Sequence, residues 1–193
     1  VGFFVLGTLC GVCHLLPCDI AETNISYYAL CALMFSVGLS VGNDPQTLKN
    51  FRSLNPRLVF LPIMTILGTL AGSAAVSLIL THRSITDCLA VGSGFGYYSL
   101  SSIFITEYKG AELGTIALLA NISREILTLL AAPLLVRWFG NLAPISAGGA
   151  TTMDTTLPII TRTAGQQFVV VSIFHGFVVD FSVPFLVTLF CSI

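Results

Sequence analysis

Long apolar stretches separated by short polar connections run along most of the chain. Their approximate bounds are 1–16, 25–42, 58–80, 85–106, 111–139 and 166–191. An α-helix needs about 20 mainly apolar residues to cross the hydrocarbon core of a bilayer. The pattern therefore predicts an all-α protein: a polytopic membrane helix bundle of about six to seven segments, forming a single transmembrane domain over residues 1–193.

Two stretches contain too much glycine, serine and threonine for an uninterrupted helix. The first is GSGFGYYSLSS at 92–102, and the second is GGATTMDTTLP at 148–158. Broken backbone inside a bilayer is stable only where protein or a water-filled cavity satisfies its polar groups. We therefore predict discontinuous helices near 92–102 and 146–160 that meet at one site. Whether 142–163 crosses fully or re-enters stays open, and close helix packing is the alternative role for the glycines.

The segment 111–139 carries Asn121, Arg124 and Glu125 at its centre. At 1.5 Å per residue, Glu125 lies about 20 Å from either end, near the bilayer midplane. An uncompensated charge there costs at least ~2.5–3.5 kcal/mol. The functional interpretation is a substrate or proton site at Glu125. The alternative is a structural ion pair, and Arg124 is expected to pair with an acid on another helix.

Other polar residues complete the set of candidates for binding a substrate or a coupling ion. They are Tyr98, Ser99 and Ser101 in the first break, Thr151, Thr152 and Asp154 in the second, and His175 in the last segment. Tyr98 is equally well explained as an interfacial aromatic residue. For His175 and Asp180 a structural role is favoured over proton relay, because five positions of separation turn them to different faces.

Composition supports a membrane protein. The chain has 193 residues, of which 55% are hydrophobic and only 9% charged, whereas soluble domains carry about 25% charged residues. A net charge of −1 and the absence of a basic run argue against nucleic-acid binding. The sequence lacks the zinc-protease and nucleophile-elbow motifs, so we expect neither an enzyme nor a metal site.

One cysteine pattern needs weighing. Cys10-Gly-Val-Cys13-His14 matches the motif for covalent attachment of c-type haem. The favoured interpretation is a face of small residues on an apolar helix, with no cofactor. The six cysteines lie mostly in apolar stretches, so no disulfide framework is inferred.

The Lys and Arg residues predict an orientation if every segment crosses once. One side then carries four basic residues, Lys49, Arg52, Arg57 and Lys109, and the other carries two, Arg83 and Arg137. Because cytoplasmic loops are enriched in Lys and Arg, the loop 43–57 is predicted to be cytoplasmic.

The motifs GSGFGYYSLSS at 92–102, NISREI at 121–126, GGATTMDTTLPIITRT at 148–163 and HGF at 175–177 resemble those of the lysine exporter (LysO-type) family of bacterial membrane proteins. The resemblance implies export of L-lysine and close cationic analogues across the inner membrane, in exchange for protons, with an essential acid at Glu125. It also implies an additional N-terminal block of helices. A separate subunit, a longer chain or a homodimer would supply that block.

Lysine presents two ammonium groups and one carboxylate to such a site. Glu125 and Asp154 suit the ammonium groups, and the broken backbone with its serine and threonine hydroxyls suits the carboxylate. Two alternatives stay open: an ion-coupled carrier of another small solute, and a non-autonomous subunit of a two-component exporter.

Overall fold

Helices and short connections make up the part of the chain that the structure describes. This computed structural model describes residues 56–80 and 82–193, all within the unit Asp44–Ile193. No strand occurs among these residues, which confirms the all-α class for them. The predicted segments 1–16 and 25–42, together with the haem-like pattern at 10–14, lie outside the described residues.

Eight α-helices and two 3-10 helices follow one another within residues 56–193 as far as these are described. The α-helices are α1 (Pro56–Val59), α2 (Leu61–Ser77), α3 (Ile85–Gly92), α4 (Tyr98–Lys109), α5 (Ala111–Phe139), α6 (Ala143–Gly148), α7 (Leu157–Ala164) and α8 (Val169–Ser192). The 3-10 helices are Gly149–Met153 and Gln166–Phe168. In the described part of the chain, two stretches, Ala111–Phe139 and Gln166–Ser192, are long and apolar enough to cross a membrane.

Glycines fix both ends of α5. Gly110 and Gly140 flank it with φ of +92° and +88°, values that a residue with a side chain adopts only at a cost. The helix therefore spans Ala111–Phe139, as the hydropathy pattern predicts.

Helices α3 and α4 form a hairpin, with a break at 93–97. Arg83, just before α3, pairs with Glu112, just after α4, and Lys109 Nζ lies 3.8 Å from Asp87 Oδ1. A straight helix would separate positions 87 and 109 by about 33 Å. The break therefore lies where the sequence predicts it, but the expected discontinuous span is wrong: the chain turns back to the end from which it came. We call residues 85–109 hairpin A.

A second hairpin follows α5. Residues at its entry and exit share one apolar cluster with the start of α2, the end of α5 and the start of α8: Leu58, Leu61, Val136, Leu142, Ile145, Ile160, Ala164, Phe168 and Val171. Because entry and exit lie together, residues 142–165 turn back to the end from which they come. We call this segment hairpin B.

These contacts define two ends of the helix bundle. End I contains Leu58, Val136 and Ala164, and end II contains Arg83 and Lys109. Helix α2 runs from end I to end II, α5 returns to end I, and α8 runs again to end II. The direction of α5 is thus opposite to the one expected if every segment crossed once.

The two hairpins therefore enter the bundle from opposite ends. Hairpin A begins and finishes at end II, and hairpin B begins and finishes at end I. Near the finish of α8, the Cys191 thiol lies close enough to Lys109 and Asp87 to interact electrostatically with them, which also places this terminus at end II.

Candidate functional site

The tips of the two hairpins touch. The Ala150 backbone N–H in hairpin B donates a hydrogen bond of 2.9 Å to the Phe95 carbonyl in hairpin A. Phe95 has a φ of +45°, and Gly149 has a φ of +64°. A Cβ atom on Gly149 would collide with the Phe95 carbonyl. The backbones can therefore approach this closely only because position 149 lacks a side chain.

Asn121, at the centre of α5, satisfies backbone groups around the hairpin A break. Its Oδ1 accepts a hydrogen bond of 2.8 Å from the Gly96 N–H. Its Nδ2 donates to the carbonyls of Val91 at 3.2 Å and Ala117 at 2.9 Å. A Cβ on Gly94 would collide with the Asn121 amide. One buried amide thus serves polar groups that the break would otherwise leave unpaired.

Arg124 binds the carbonyl end of α6. Its Nε donates to the Ala147 carbonyl at 2.8 Å, and its Nη2 donates to the Ser146 carbonyl at 3.0 Å. The guanidinium carbon lies 5.9 Å from the centre of the Phe95 ring. The sequence predicts an acidic partner, whereas the described hydrogen bonds of Arg124 are with these two carbonyls and, at 3.4 Å from Nη1, with the Thr69 hydroxyl of α2. A cation is favourable there because helix C-termini carry partial negative charge.

His175 links three elements. Its Nε2 lies 2.9 Å from the Thr65 hydroxyl of α2, and its Nδ1 lies 3.3 Å from the Thr152 hydroxyl of hairpin B. The ring is fully buried. These bonds match the structural role favoured from the sequence. On the same helix, a Cβ on Gly176 would lie 2.7 Å from the Met153 nitrogen, so hairpin B packs against α8 at van der Waals contact.

The buried hydroxyls of the two breaks already serve nearby backbone. Ser101 donates to the Tyr97 carbonyl at 2.8 Å, Thr151 donates to the Gly148 carbonyl at 2.9 Å, and Thr152 to the Gly149 carbonyl at 2.8 Å. Tyr98 and Ser99, by contrast, are exposed. The hydroxyls predicted to bind a carboxylate therefore divide into a buried group and an accessible pair.

Three carboxyl groups lie in or beside the central part of the bundle. Glu125 is half-buried and has no hydrogen bond or ion pair with the described residues. Asp154 is exposed at the tip of hairpin B, where its Oδ1 accepts from the Thr155 hydroxyl at 3.3 Å. Asp180 is only 4% exposed. The interpretation from sequence gave Asp180 no role in the site, although an acid inside an apolar helix was the available signal.

A cavity of about 850 Å³ extends from end II towards the hairpin tips. Arg83 and Asp87 line it at end II, and Asn121 and Arg124 line it at its inner part. A second cavity of about 340 Å³ lies between α2 and α6. In the part of the chain that is described, no group of His, Cys, Asp and Glu residues is placed to hold a metal ion.

Comparison with known proteins identifies relatives. The profile of the family described as "Lysine exporter LysO" matches residues 1–191. Lysine exporter LysO of Escherichia coli (strain K12) is 36% identical over 170 residues, covering 88% of this chain and 56% of that protein. A putative lysine exporter of Haemophilus influenzae is 36% identical over 165 residues, covering 86% of this chain and 83% of that protein.

The chain thus spans little more than half the length of the Escherichia coli relative. No solved structure matches it significantly. The family is one of transporters, which agrees with the expectation that the protein is not an enzyme. Both the profile match and the two relatives show that this chain belongs to the lysine exporter LysO family.

Proposed function

We propose that this chain forms the transport core of a secondary exporter of L-lysine and close cationic analogues, embedded as a multi-pass protein in the bacterial inner membrane. The observation that carries the proposal is the contact between the tips of two hairpins that enter from opposite ends. Non-helical backbone at membrane depth is a feature of transporter binding sites. The names of its relatives support lysine as the substrate.

Exposed apolar side chains support a bilayer environment. Leu127 and Leu130 of α5 are 64% and 74% exposed, and Phe181 and Phe185 of α8 are 61% and 63% exposed. Water disfavours such surfaces, whereas lipid tails solvate them. We propose that the two hairpins are the discontinuous elements of the membrane domain, with their tips near the midplane.

Because the direction of α5 is opposite to the predicted one, the Lys and Arg residues are divided between the two ends differently from the sequence prediction. End I carries the positions of Arg57, Arg137 and Arg162, and end II carries Arg83 and Lys109. The positive-inside rule then favours a cytoplasmic end I. The large cavity, whose outer part is at end II, would consequently face the outside of the cell. The structure would in that case correspond to an outward-open arrangement.

The site offers groups for each part of lysine. Glu125 and Asp154 are suited to the ammonium groups, because carboxylates form charge-assisted hydrogen bonds with them. Arg124 lines the cavity and carries a positive charge that attracts the substrate carboxylate. The N-terminus of α4, which begins at Tyr98 beside the break, adds a partial positive charge.

Exchange of a proton for a lysine ammonium group at the Glu125 carboxyl is the proposed mechanism by which lysine export is coupled to protons. In this mechanism Glu125 holds a proton when no cation is bound, because an unpaired charge at membrane depth is costly. When the site opens to the cytoplasm, Glu125 releases the proton and binds a lysine ammonium group. When it opens outward, a proton replaces lysine. Each cycle moves lysine out and a proton in.

Lysine counterflow in proteoliposomes tests the proposal. Vesicles loaded with unlabelled lysine and carrying this chain are expected to accumulate radiolabelled lysine, and a pH gradient should drive net movement. L-norleucine, which lacks the side-chain ammonium group, should not replace lysine inside the vesicles.

Two further outcomes are informative. Failure of counterflow that is repaired by adding the N-terminal block of the family would show a non-autonomous subunit. Failure with that block present would contradict lysine as the substrate.

A further inference from the structure

Asp180 is a buried acid that the proposed mechanism does not use. It lies near the middle of α8, about 17 Å from either end of that helix. The residue is 4% exposed, and its Oδ1 has no hydrogen-bond partner among the described residues. A buried carboxylate oxygen without a donor costs several kcal/mol. Such an atom therefore indicates that the group carries a proton or binds a cation.

The surroundings of Asp180 supply a second acid rather than a compensating cation. Asp154, at the tip of hairpin B, interacts electrostatically with Asp180. Tyr97, at the tip of hairpin A, is close enough to interact with both acids. Gly176, one helical turn before Asp180, packs against Met153, the neighbour of Asp154. The three groups thus come from three different elements beside the contact between hairpin B and α8.

Several other charged groups, on the elements around Asp180, either bind other partners or lie away from Asp180. Helices α2 and α6 contain no ionisable side chain. Asp87 of α3 and Lys109 of α4 pair with each other at end II. Arg124 is bound to the α6 carbonyls, and Arg162 of α7 lies near end I. Within the described residues, no basic side chain forms an ion pair with Asp180.

We propose that Asp180 and Asp154 form a second cation-exchange site at the hairpin tips, where the two carboxyls share one proton and a substrate ammonium group displaces it. Asp180 is buried, and ionising it beside the carboxylate of Asp154 would place two like charges close together, which favours a proton held between the two groups. The arriving ammonium group brings one positive charge and the departing proton removes one. The charge of the site is therefore unchanged. This inference rests on the proposed function.

Proton release on lysine binding tests the assignment. Purified protein in detergent, weakly buffered with a pH indicator, is titrated with L-lysine, and binding is followed separately by calorimetry. The wild-type chain should release protons as lysine binds. Asp180→Asn should still bind lysine but release about one proton fewer per lysine. The matched control Glu107→Gln, which removes an exposed acid from α4, should behave as the wild type does.

Two results would overturn the inference. The first is an Asp180→Asn variant that releases as many protons per bound lysine as the wild type. The second is an Asp180→Glu variant that binds lysine yet does not regain the proton release lost in Asp180→Asn, because the glutamate restores the titratable group. A purely structural role for Asp180 would change stability in both variants without changing the ratio of protons to lysine.

A second measurement tests the inference even if a variant is unstable or the chain binds no lysine. Dicyclohexylcarbodiimide modifies protonated carboxyls in apolar surroundings. In wild-type membranes it should label Asp180, located by mass spectrometry, at a rate that falls as the pH rises. Absence of label on Asp180 at acidic pH would contradict a proton-bearing site. If the wild type binds no lysine but Asp180 is labelled, the proposed substrate fails while the proton site stands.

Discussion

Asn121 and Arg124 support the backbone at the site where the hairpins meet. Asn121 bonds two backbone groups of hairpin A and one carbonyl of its own helix, and Arg124 bonds two carbonyls of hairpin B. The sequence identifies both as unusual because they lie at the centre of an apolar helix. It does not identify their partners, because carbonyl groups belong to every residue and their availability depends on the fold. Asp180 stands out in the sequence as an acid inside an apolar helix, and the structure adds that its Oδ1 has no hydrogen-bond partner among the described residues.

Replacing Asn121 should destabilise the hairpin A break. Asn121→Leu leaves the buried Gly96 N–H without its partner, at a cost of about 1–3 kcal/mol, and removes one of two hydrogen bonds to the Val91 carbonyl, which still accepts from the Gly94 N–H. We expect a lower melting temperature in detergent, measured by a thermal-shift assay. Thr115→Val is the control, since the Thr115 hydroxyl is exposed and bonds only a carbonyl of its own helix. Equal melting temperatures for the two variants would contradict the role of Asn121.

The sequence predicts the bounds of α5 and the positions of the breaks, but it does not predict whether the chain turns back at a break. Glycines at 110 and 140 set the limits of α5, and the concentration of glycine with serine or threonine locates both breaks. Whether a broken segment crosses or turns back is not encoded in hydropathy, because both arrangements bury the same residues. The Asp87–Lys109 and Arg83–Glu112 pairs decide it for hairpin A. These contacts join residues more than 20 positions apart, beyond the range of helical periodicity.

The tip contact depends on Gly149. Gly149→Ala adds a Cβ at a φ of +64° that would collide with the Phe95 carbonyl. We expect a loss of transport together with a lower melting temperature. Gly140→Ala is the matched control, because Gly140 has a φ of +88° but open space around it. It should show only the cost of a side chain at positive φ, about 1–3 kcal/mol. Full transport by Gly149→Ala would show that the contact is dispensable.

Single cysteines test the direction of hairpin A. In a cysteine-free background, His82→Cys and Glu107→Cys mark the two ends of hairpin A, and Asn141→Cys marks end I. All three positions are exposed. A membrane-impermeant thiol reagent should reach positions 82 and 107 from one side and position 141 from the other. Labelling of 82 and 107 from opposite sides would contradict the hairpin and restore a crossing segment.

At the scale of the whole molecule, two hairpins from opposite ends converge on the centre of α5. The cavity from end II reaches Asn121 and Arg124, and the hairpin tips lie beyond them. Small movements of either tip would change access from the two ends to the tip residues, among them Asp154. This arrangement suits alternating access, in which a substrate site near the midplane opens to one side at a time.

The most direct test of this account is lysine efflux driven by a pH gradient in vesicles containing Glu125→Gln. Glutamine keeps the size of the side chain but cannot exchange a proton, so efflux should fall to the level of protein-free vesicles. Glu107→Gln, at the exposed end of α4, should retain wild-type efflux. Full gradient-driven efflux by Glu125→Gln would contradict proton exchange at this carboxyl.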